Sequence, residues 1–140
     1  PIFHNDWFGD KIESLDVETP FYLIIIPLTT CDAKTIVLNQ YGYHTHFVDY
    51  KKEHPPLLKE QQMSVEEYQK YFSHCGPLER FYISIKDIFS WKVGSVLLCD
   101  IRYFHASDNF LVNHLSEKKC ITLMSKIKTC NLDSVYKELL

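Results

Sequence analysis

The sequence lacks the apolar segments by which proteins enter or cross membranes. None of its apolar runs approaches the roughly 18 residues of a membrane span, and the longest, FYLIIIPL at residues 21–28, has the length of a strand and contains Pro27. The N-terminus has no cationic segment of the kind that begins a secretory signal. The chain starts at Pro1 without an initiator methionine, so we expect that N-terminal sequence is missing or has been removed. We expect no membrane association.

Basic charge and paired cysteines are also scarce. The sequence has 15 Lys and Arg against 18 Asp and Glu, a formal net charge of −3. A nucleic-acid-binding domain usually carries a clustered basic face, so we expect no nucleic-acid partner. The five cysteines are odd in number and show no CxxC spacing. This pattern disfavours a zinc ribbon or a disulfide framework and favours reduced thiols in a cytoplasmic protein.

Short strand-like segments dominate what is present. A chain of 140 residues has room for one hydrophobic core, and we predict a single domain over residues 1–140. Segments rich in aromatic and β-branched residues or alternating in polarity predict strands. These are residues 21–28, 34–39, 81–89, 94–99, 103–106 and 118–127. The first two are expected to pair as a hairpin, and the class is mainly β, a jelly roll or cupin-like body.

Helices are predicted at two places, outside the strands. Ser64, Val65, Glu66 and Glu67 form a capping box that predicts a helix start, and residues 131–140 are expected to form a closing helix. Residues 40–62 have no clear period and are expected to form a long loop, which in a compact domain usually has a function. The prediction is therefore a mainly β domain with one or two peripheral helices.

Polar residues concentrate in the segment Trp91 to Phe110, WKVGSVLLCDIRYFHASDNF. It predicts a buried strand, a polar bend and a second strand that carries one histidine, His105. The polar residues that follow the first strand are Asp100, Arg102, His105, Ser107, Asp108 and Asn109. Polar groups at the end of a core strand predict a binding or catalytic site. A lone histidine is more often structural than a ligand, so the interpretation depends on partners elsewhere in the chain.

His4 and Asp6 are candidate partners. In an extended segment, side chains two residues apart point to the same face. If His105 reaches that face, the three side chains form a two-histidine, one-carboxylate triad of the kind that holds Fe(II) and leaves positions open. An HxD pair also arises readily by chance. Lys118 and Lys119 precede the last strand, where a cation can pair with a carboxylate or can simply lie in a solvated turn.

The order of these features resembles the Fe(II)/2-oxoglutarate-dependent oxygenases. HxD, two strands and a long insertion are followed by W-x-x-G-S-x-[LI]-x-x-D-x-R-x-x-H-x-S-x-N and a last strand that begins with lysine. The chain looks closest to phytanoyl-hydroxylase-like and small microbial or phage-type members. The resemblance implies a double-stranded β-helix with His4, Asp6 and His105 as iron ligands. It implies that Lys118 binds the distal carboxylate of 2-oxoglutarate, with Ser107 beside the site.

The implied function is a dioxygenase that uses Fe(II), 2-oxoglutarate and dioxygen to hydroxylate or oxidise an unidentified small molecule. Lys118 is preferred to Lys119 because it places Cys120, Thr122 and Met124 on the inward face of the last strand. The alternative is a catalytically inactive jelly-roll module that binds or interacts without turnover.

Other residues offer competing sites. His44 and His46 with Asp49 form a second cluster of metal-ligand types, but their spacing suits a metal set poorly. His74-Cys75 suggests a thiol nucleophile, which is disfavoured because nucleophile and base need spatial adjacency. Four aromatic residues either line a substrate pocket or form ordinary packing. They are Tyr41, Tyr43, Phe47 and Tyr50.

Overall fold

The structure is a computed structural model that describes residues 3, 4, 6, 21–44, 46–109 and 118–126. The strands in these ranges are β1 (Phe21–Pro27), β2 (Lys34–Tyr41), β3 (Ile85–Ser90), β4 (Leu97–Asp100), β5 (Tyr103–Ser107) and β6 (Cys120–Lys126). The α-helices are α1 (Phe47–Glu53) and α2 (Val65–Phe72), and two 3₁₀ turns cover Lys59–Gln61 and Glu79–Phe81. The predicted mainly β class is confirmed. The closing helix predicted at 131–140 lies outside the described residues.

The strands form two antiparallel sheets of three strands each. Sheet A has the order β3-β2-β5 and sheet B the order β4-β1-β6. The predicted hairpin of the first two strands is therefore wrong, because β1 and β2 belong to different sheets. Leu23 and Ile25 of β1 pack against Val37 of β2 in one buried cluster. Face-to-face packing buries these apolar side chains between the sheets, which edge-to-edge pairing would not do.

Sheets A and B enclose an inner core. Its buried members are Leu23, Ile25, Ala33, Val37, Trp91, Leu97, Cys99 and Ile101. On β6, Cys120, Thr122 and Met124 lie opposite the buried β1 residues Pro27, Ile25 and Leu23. Residues directly opposite in an antiparallel pair share a face, so these three side chains of β6 lie on the face of sheet B that holds the buried β1 residues. Cys120 packs against the inner core, whereas Thr122 and Met124 are exposed, so the predicted inward face of the last strand is partly buried at Cys120 alone.

The second face of sheet A is covered by the helices, which form an outer core with it. Its buried members are Phe3, Ile36, Leu38, Phe47, Met63, Tyr68, Phe72, Ile83, Phe104 and Ala106. The central strand β2 is therefore buried on both faces, with Val37 in the inner core and Ile36 and Leu38 in the outer core. Sheet A is packed from both sides, which restrains the side chains on its inward face.

The helix after Ser64 is confirmed. The Ser64 hydroxyl accepts a hydrogen bond from the Glu67 backbone N–H at 3.1 Å, the interaction expected of an N-cap. Tyr68 and Phe72 are its buried residues. None of the helices in the described ranges is long and apolar enough to cross a membrane.

Two further sequence-based predictions are wrong, the loop at 40–62 and the start of the strand at Phe81. The predicted loop at 40–62 contains α1, a seven-residue helix that buries only Phe47 and therefore shows no apolar period. The strand predicted from Phe81 starts at Ile85 instead. The preceding residues Glu79–Phe81 form a 3₁₀ turn, and Ile83 packs into the outer core.

Truncation of Phe72 to alanine should destabilise the protein by about 3–5 kcal/mol, because the ring is fully buried and its removal leaves a cavity. Leu78→Ala is the matched control: Leu78 is 68% exposed, and we expect a change within about 0.5 kcal/mol. Chemical denaturation monitored by tryptophan fluorescence measures both. Equal losses in the two variants would contradict the assignment of the outer core.

Candidate metal centre

Backbone pairing brings the beginning of the described chain to His105. The His4 N–H donates to the His105 carbonyl oxygen at 3.2 Å, and the His105 N–H donates to the His4 carbonyl oxygen at 2.8 Å. His4 thus adds a bridge to the outer edge of β5. The Asp6 N–H donates to the Ile101 carbonyl oxygen at 3.1 Å. These bonds fix the HxD segment beside the strand that carries the third candidate ligand.

The register places the candidate ligands on one face. His4 lies opposite His105, and His105 lies opposite Val37 of β2. Because directly paired residues share a face, both histidines point to the inward side of sheet A. The imidazole rings have centroids 4.6 Å apart, and His105 Nε2 lies 3.5 Å from Asp6 Oδ2. One ligand atom from each of the three residues falls within 4.8 Å of the others.

Burial and hydrogen bonding keep His105 in the form that binds a metal. Its side chain is nearly buried, which lowers its pKa; the Asp6 carboxylate acts against this and His4 acts with it. The Nδ1–H donates to the Tyr103 carbonyl oxygen at 3.3 Å. In the neutral ring this leaves an unprotonated Nε2, so a lone pair of His105 faces a carboxylate oxygen of Asp6.

A metal cation between His105 Nε2 and Asp6 Oδ2 would be bound by the lone pair of the first and by the negative charge of the second. The 3.5 Å separation of Nε2 and Oδ2 exceeds the roughly 2.7–2.9 Å of a charge-assisted hydrogen bond. Two ligands at right angles, each about 2.1 Å from one ion, lie some 3 Å apart. The donor set is two imidazoles and one carboxylate on one side, the set that suits Fe(II) and leaves further positions open. The residues therefore fit a mononuclear iron site.

A thiolate ligand is not expected at this cluster. Cys99 lies on β4, near enough for the Asp6 and Asp100 carboxylates to act on its ionisation. Burial, reinforced by these charges, raises the pKa of the Cys99 thiol to about 12. The thiol is thus protonated at neutral pH, and the nitrogen and oxygen ligands stand alone.

Lys118 lies beside this cluster and contacts Ser107. Its Nζ donates to Ser107 Oγ at 2.6 Å and lies 4.4 Å from the centroid of the Trp91 ring. Ser107 is two residues beyond His105 on β5 and opposite the inward-facing Thr35. Burial lowers the pKa of the Lys118 ammonium, while the Asp108 carboxylate acts to raise it. Lys119, by contrast, is exposed.

Trp91 supports Lys118, a role that the sequence patterns did not predict. The indole N–H donates to Thr35 Oγ1 at 2.9 Å within the inner core. The ring is thereby held where its face receives the ammonium, a favourable cation–π arrangement. The only signal in the sequence was the position of Trp91 at the head of the motif that ends at Asn109.

The remaining polar residues of that motif serve other parts of the structure. Arg102 makes two side-chain hydrogen bonds to Asp100, at 2.9 and 2.6 Å. Asn109 Nδ2 donates to Ser73 Oγ at 2.8 Å, at the end of α2. Asp108 is buried, with its backbone N–H bonded to the Lys34 carbonyl oxygen. Of the polar side chains in this segment, His105 and Ser107 face the candidate centre.

The competing clusters are not assembled as metal sites in the described part of the chain. His44 Nε2 contacts Glu53 Oε2 at 3.0 Å, and Asp49 pairs with Lys52. Within the described ranges, the residues whose ligand atoms come together closely enough to hold a metal ion are His4, Asp6 and His105.

The thiol of the His74-Cys75 pair is also unsuited to catalysis. Burial raises the pKa of Cys75 to about 11, so the thiolate that acts as a nucleophile is scarce at neutral pH.

The predicted aromatic residues separate into two groups. Phe47 and Tyr50 stack on each other and contact Phe104 in or against the outer core. Tyr41 packs on Tyr103 and receives the Arg102 guanidinium on its face, and Tyr43 also lies near that guanidinium. These contacts are those of packing around the fold.

Comparison with known proteins identifies no relative of this chain. No family model, no curated protein and no solved structure matches the chain. The candidate centre is therefore defined by the contacts of this chain's own residues.

Metal binding should depend on His105 and not on His44. With Mn(II), a redox-stable substitute for Fe(II), at about 100 times its Kd, we expect a gain of about 2.7 kcal/mol in unfolding free energy. His105→Ala should weaken binding by at least about 100-fold, beyond the loss seen when a ligand's supporting partner is removed. His44→Ala, whose partner is Glu53, is the control and should bind as the parent does. Titration calorimetry measures the affinities of the parent and the two variants, and chemical denaturation with and without Mn(II) measures the gain in stability; equal affinity in parent and His105→Ala would exclude this site.

Proposed function

We propose that this protein is an Fe(II)- and 2-oxoglutarate-dependent dioxygenase that hydroxylates or otherwise oxidises a small molecule. The observation that carries the proposal is the convergence of His4, Asp6 and His105 on one inward face, with ligand atoms within 4.8 Å of one another. The Lys118 ammonium lies beside the same face through its hydrogen bond to Ser107. A metal-ligand triad and a neighbouring cation are the two elements that this chemistry requires.

In hydroxylation the atoms balance with two co-substrates. A C–H bond of the substrate and 2-oxoglutarate together supply four electrons to dioxygen. One oxygen atom becomes the new hydroxyl group and the other enters succinate, with release of carbon dioxide. Iron, when bound, supplies the redox centre and the open positions for the co-substrates.

The protein's residues supply the geometry around that centre. The Tyr103 carbonyl oxygen orients the His105 ring, and backbone pairing with β5 fixes His4. Hydrogen bonds of this kind hold a ligand's lone pair toward the metal and are a regular part of such sites. The packed sheet behind these residues keeps water away from their backbone.

Lys118 is the residue that we assign to the distal carboxylate of 2-oxoglutarate. It is partly buried against Trp91, so a carboxylate that reaches it meets a cation in a poorly screened environment. Ser107 Oγ would add a hydroxyl to the same carboxylate. Lys119 is exposed and its backbone N–H bonds to Thr29 Oγ1, which favours Lys118 as the anchor.

We further propose that the two sheets belong to a double-stranded β-helix, or jelly roll. The support is the order in which the strands visit the sheets: β1 in B, β2 and β3 in A, β4 in B, β5 in A and β6 in B. Repeated crossing between two facing antiparallel sheets is the connectivity of Greek-key jelly rolls. In this arrangement His105 lies on the face that the opposite sheet covers.

The four described cysteines are free thiols, and we propose the cytoplasm as the location of the protein. A reducing compartment keeps such thiols unpaired, and it also maintains ferrous iron.

The alternative is a binding module with the same fold and no turnover. It predicts no need for a complete ligand triad, whereas the residues of this chain retain all three donors on one face. The oxygenase is therefore the better supported function.

The anchor is tested by comparing Lys118→Ala with Lys119→Ala in Mn(II)-loaded protein. Loss of one partner of a buried charge pair costs about 2–5 kcal/mol, and the low end of this range applies to the partly buried Lys118, so we expect Lys118→Ala to weaken 2-oxoglutarate binding by about 30-fold or more. Lys118→Arg should restore much of it, and Lys119→Ala should match the parent. Calorimetry gives the affinities, and succinate formation with Fe(II) gives turnover.

Equal affinities in the two alanine variants would contradict the assignment of Lys118. Absence of 2-oxoglutarate binding by the metal-loaded parent would favour the binding module. Because binding is measured without the second substrate, this result does not depend on knowing what that substrate is.

A further inference from the structure

A cleft of about 310 Å³ opens between the sheets at the edges of β3 and β4. Its deep walls are apolar and come from Val37, Leu97 and Cys99, three members of the inner core. Lys86, Asp87 and Tyr103 are also among its lining residues, and Lys86 and Asp87 are exposed. The cleft thus combines an apolar interior with a charged mouth, at a size typical of small-molecule sites.

A β-bulge creates the charged mouth. Asp87 lies opposite Val37 of β2, but the next residue of β2, Leu38, lies opposite Ile85. Lys86 is therefore an extra residue in β3, and bulges of this kind redirect side chains. The bulge places a lysine and an aspartate side by side on the cleft.

The two charges do not neutralise each other. The Lys86 ammonium lies 4.7 Å from the Tyr103 ring centroid, and Asp87 Oδ1 accepts from the Ile88 backbone N–H at 2.7 Å. Among the ion pairs of the described residues, none joins Lys86 to Asp87. The mouth therefore presents one cation and one anion at adjacent positions, while the other carboxylate that lines the cleft, Asp100, is paired with Arg102.

The cleft lies on the same face of sheet A as the candidate metal centre, although none of the three candidate ligands is among its lining residues. Val37 lies opposite both Asp87 and His105, and His105 lies opposite His4. These four residues form one row across the inward face of sheet A. With neighbouring strands about 4.8 Å apart, the Cα atoms of Asp87 and His105 are separated by about 10 Å. Cys99 lines the cleft and is also close enough to Asp6 for that carboxylate to raise the pKa of the Cys99 thiol.

We propose that this cleft binds a free aliphatic α-amino acid, which is the substrate of the proposed oxygenase. Lys86 pairs with its carboxylate and Asp87 with its ammonium group. The side chain lies along Val37 and Leu97 and points toward His4, Asp6 and His105, where one of its C–H bonds is oxidised as described above. The oxidation rests on the proposed function; the binding requires only the cleft.

Other small molecules match the cleft less well. An aliphatic acid would leave Asp87 unmatched, and an aliphatic amine would leave Lys86 unmatched. A strongly polar side chain would lose its hydration against Val37, Leu97 and Cys99 without a matching hydrogen-bond partner on those walls. A zwitterionic head group with an apolar side chain satisfies both the mouth and the interior.

The test uses matched ligands on the parent protein, without metal and with Mn(II). The probes are L-valine, L-leucine, L-isoleucine and L-norleucine, compared with 4-methylpentanoate, which lacks the amine of leucine, and 3-methylbutylamine, which lacks its carboxylate. We expect at least one amino acid to bind in calorimetry. The acid and the amine that correspond to that amino acid, which are 4-methylpentanoate and 3-methylbutylamine in the case of leucine, should bind about fivefold more weakly or worse, the upper range for a partly exposed ion pair.

Variants identify the contact made by each charge. Lys86→Met should weaken amino-acid binding about fivefold and leave 3-methylbutylamine unaffected, whereas Asp87→Asn should weaken amino-acid binding and leave 4-methylpentanoate unaffected. Lys92→Met and Asp32→Asn remove exposed charges away from the cleft and should bind like the parent. If no amino acid binds the parent, or if Lys86→Met and Asp87→Asn bind as tightly as the controls, the inference is overturned.

These outcomes are separable from the test of the proposed function. Lys118-dependent binding of 2-oxoglutarate without amino-acid binding would leave the oxygenase intact and overturn the substrate assignment. Amino-acid binding that depends on Lys86 and Asp87, in a protein that does not bind 2-oxoglutarate, would support the cleft as a binding site and overturn its role in oxidation.

Discussion

The reciprocal hydrogen bonds between the backbones of His4 and His105 are the constraint on which the site depends. They join two segments about a hundred residues apart in sequence at a single position. Pairing in this register puts both imidazoles on the inward face, and the two-residue period of an extended chain brings Asp6 to the same side. A shift by one residue would point His4 away from His105, and the ligand set would be lost.

Sheet A can hold this geometry because it is packed on both faces. Helices α1 and α2 cover its outer side through Phe47, Tyr68 and Phe72, while sheet B covers its inner side. His105 and Ser107 therefore extend from a strand, β5, whose backbone has little freedom to move. The same packing desolvates His105 and Lys118, which lowers the pKa of each. The packing of sheet A between the helices and sheet B thus stabilises the fold and also lowers the pKa of these two residues.

The sequence predicted those features that depend on local pattern. The Ser64 cap, the strand around His105 and the shared face of His4 and Asp6 follow from capping chemistry and from the alternation of strands. It did not predict α1, because a short helix with one buried residue has no apolar period. The pairing of β1 and the bulge at Lys86 also escaped prediction. Both depend on which strands meet, and that is decided by tertiary packing.

X-ray absorption spectroscopy at the iron edge, on protein reconstituted anaerobically with Fe(II), tests the central claim most directly. The account predicts a shell of nitrogen and oxygen atoms at about 2.0–2.2 Å, with the outer-shell scattering of two imidazoles and no sulfur. His105→Ala should lose one imidazole from that pattern. A sulfur shell near 2.3 Å, or a parent spectrum with fewer than two imidazoles, would contradict the assignment of His4, Asp6 and His105 as a metal centre.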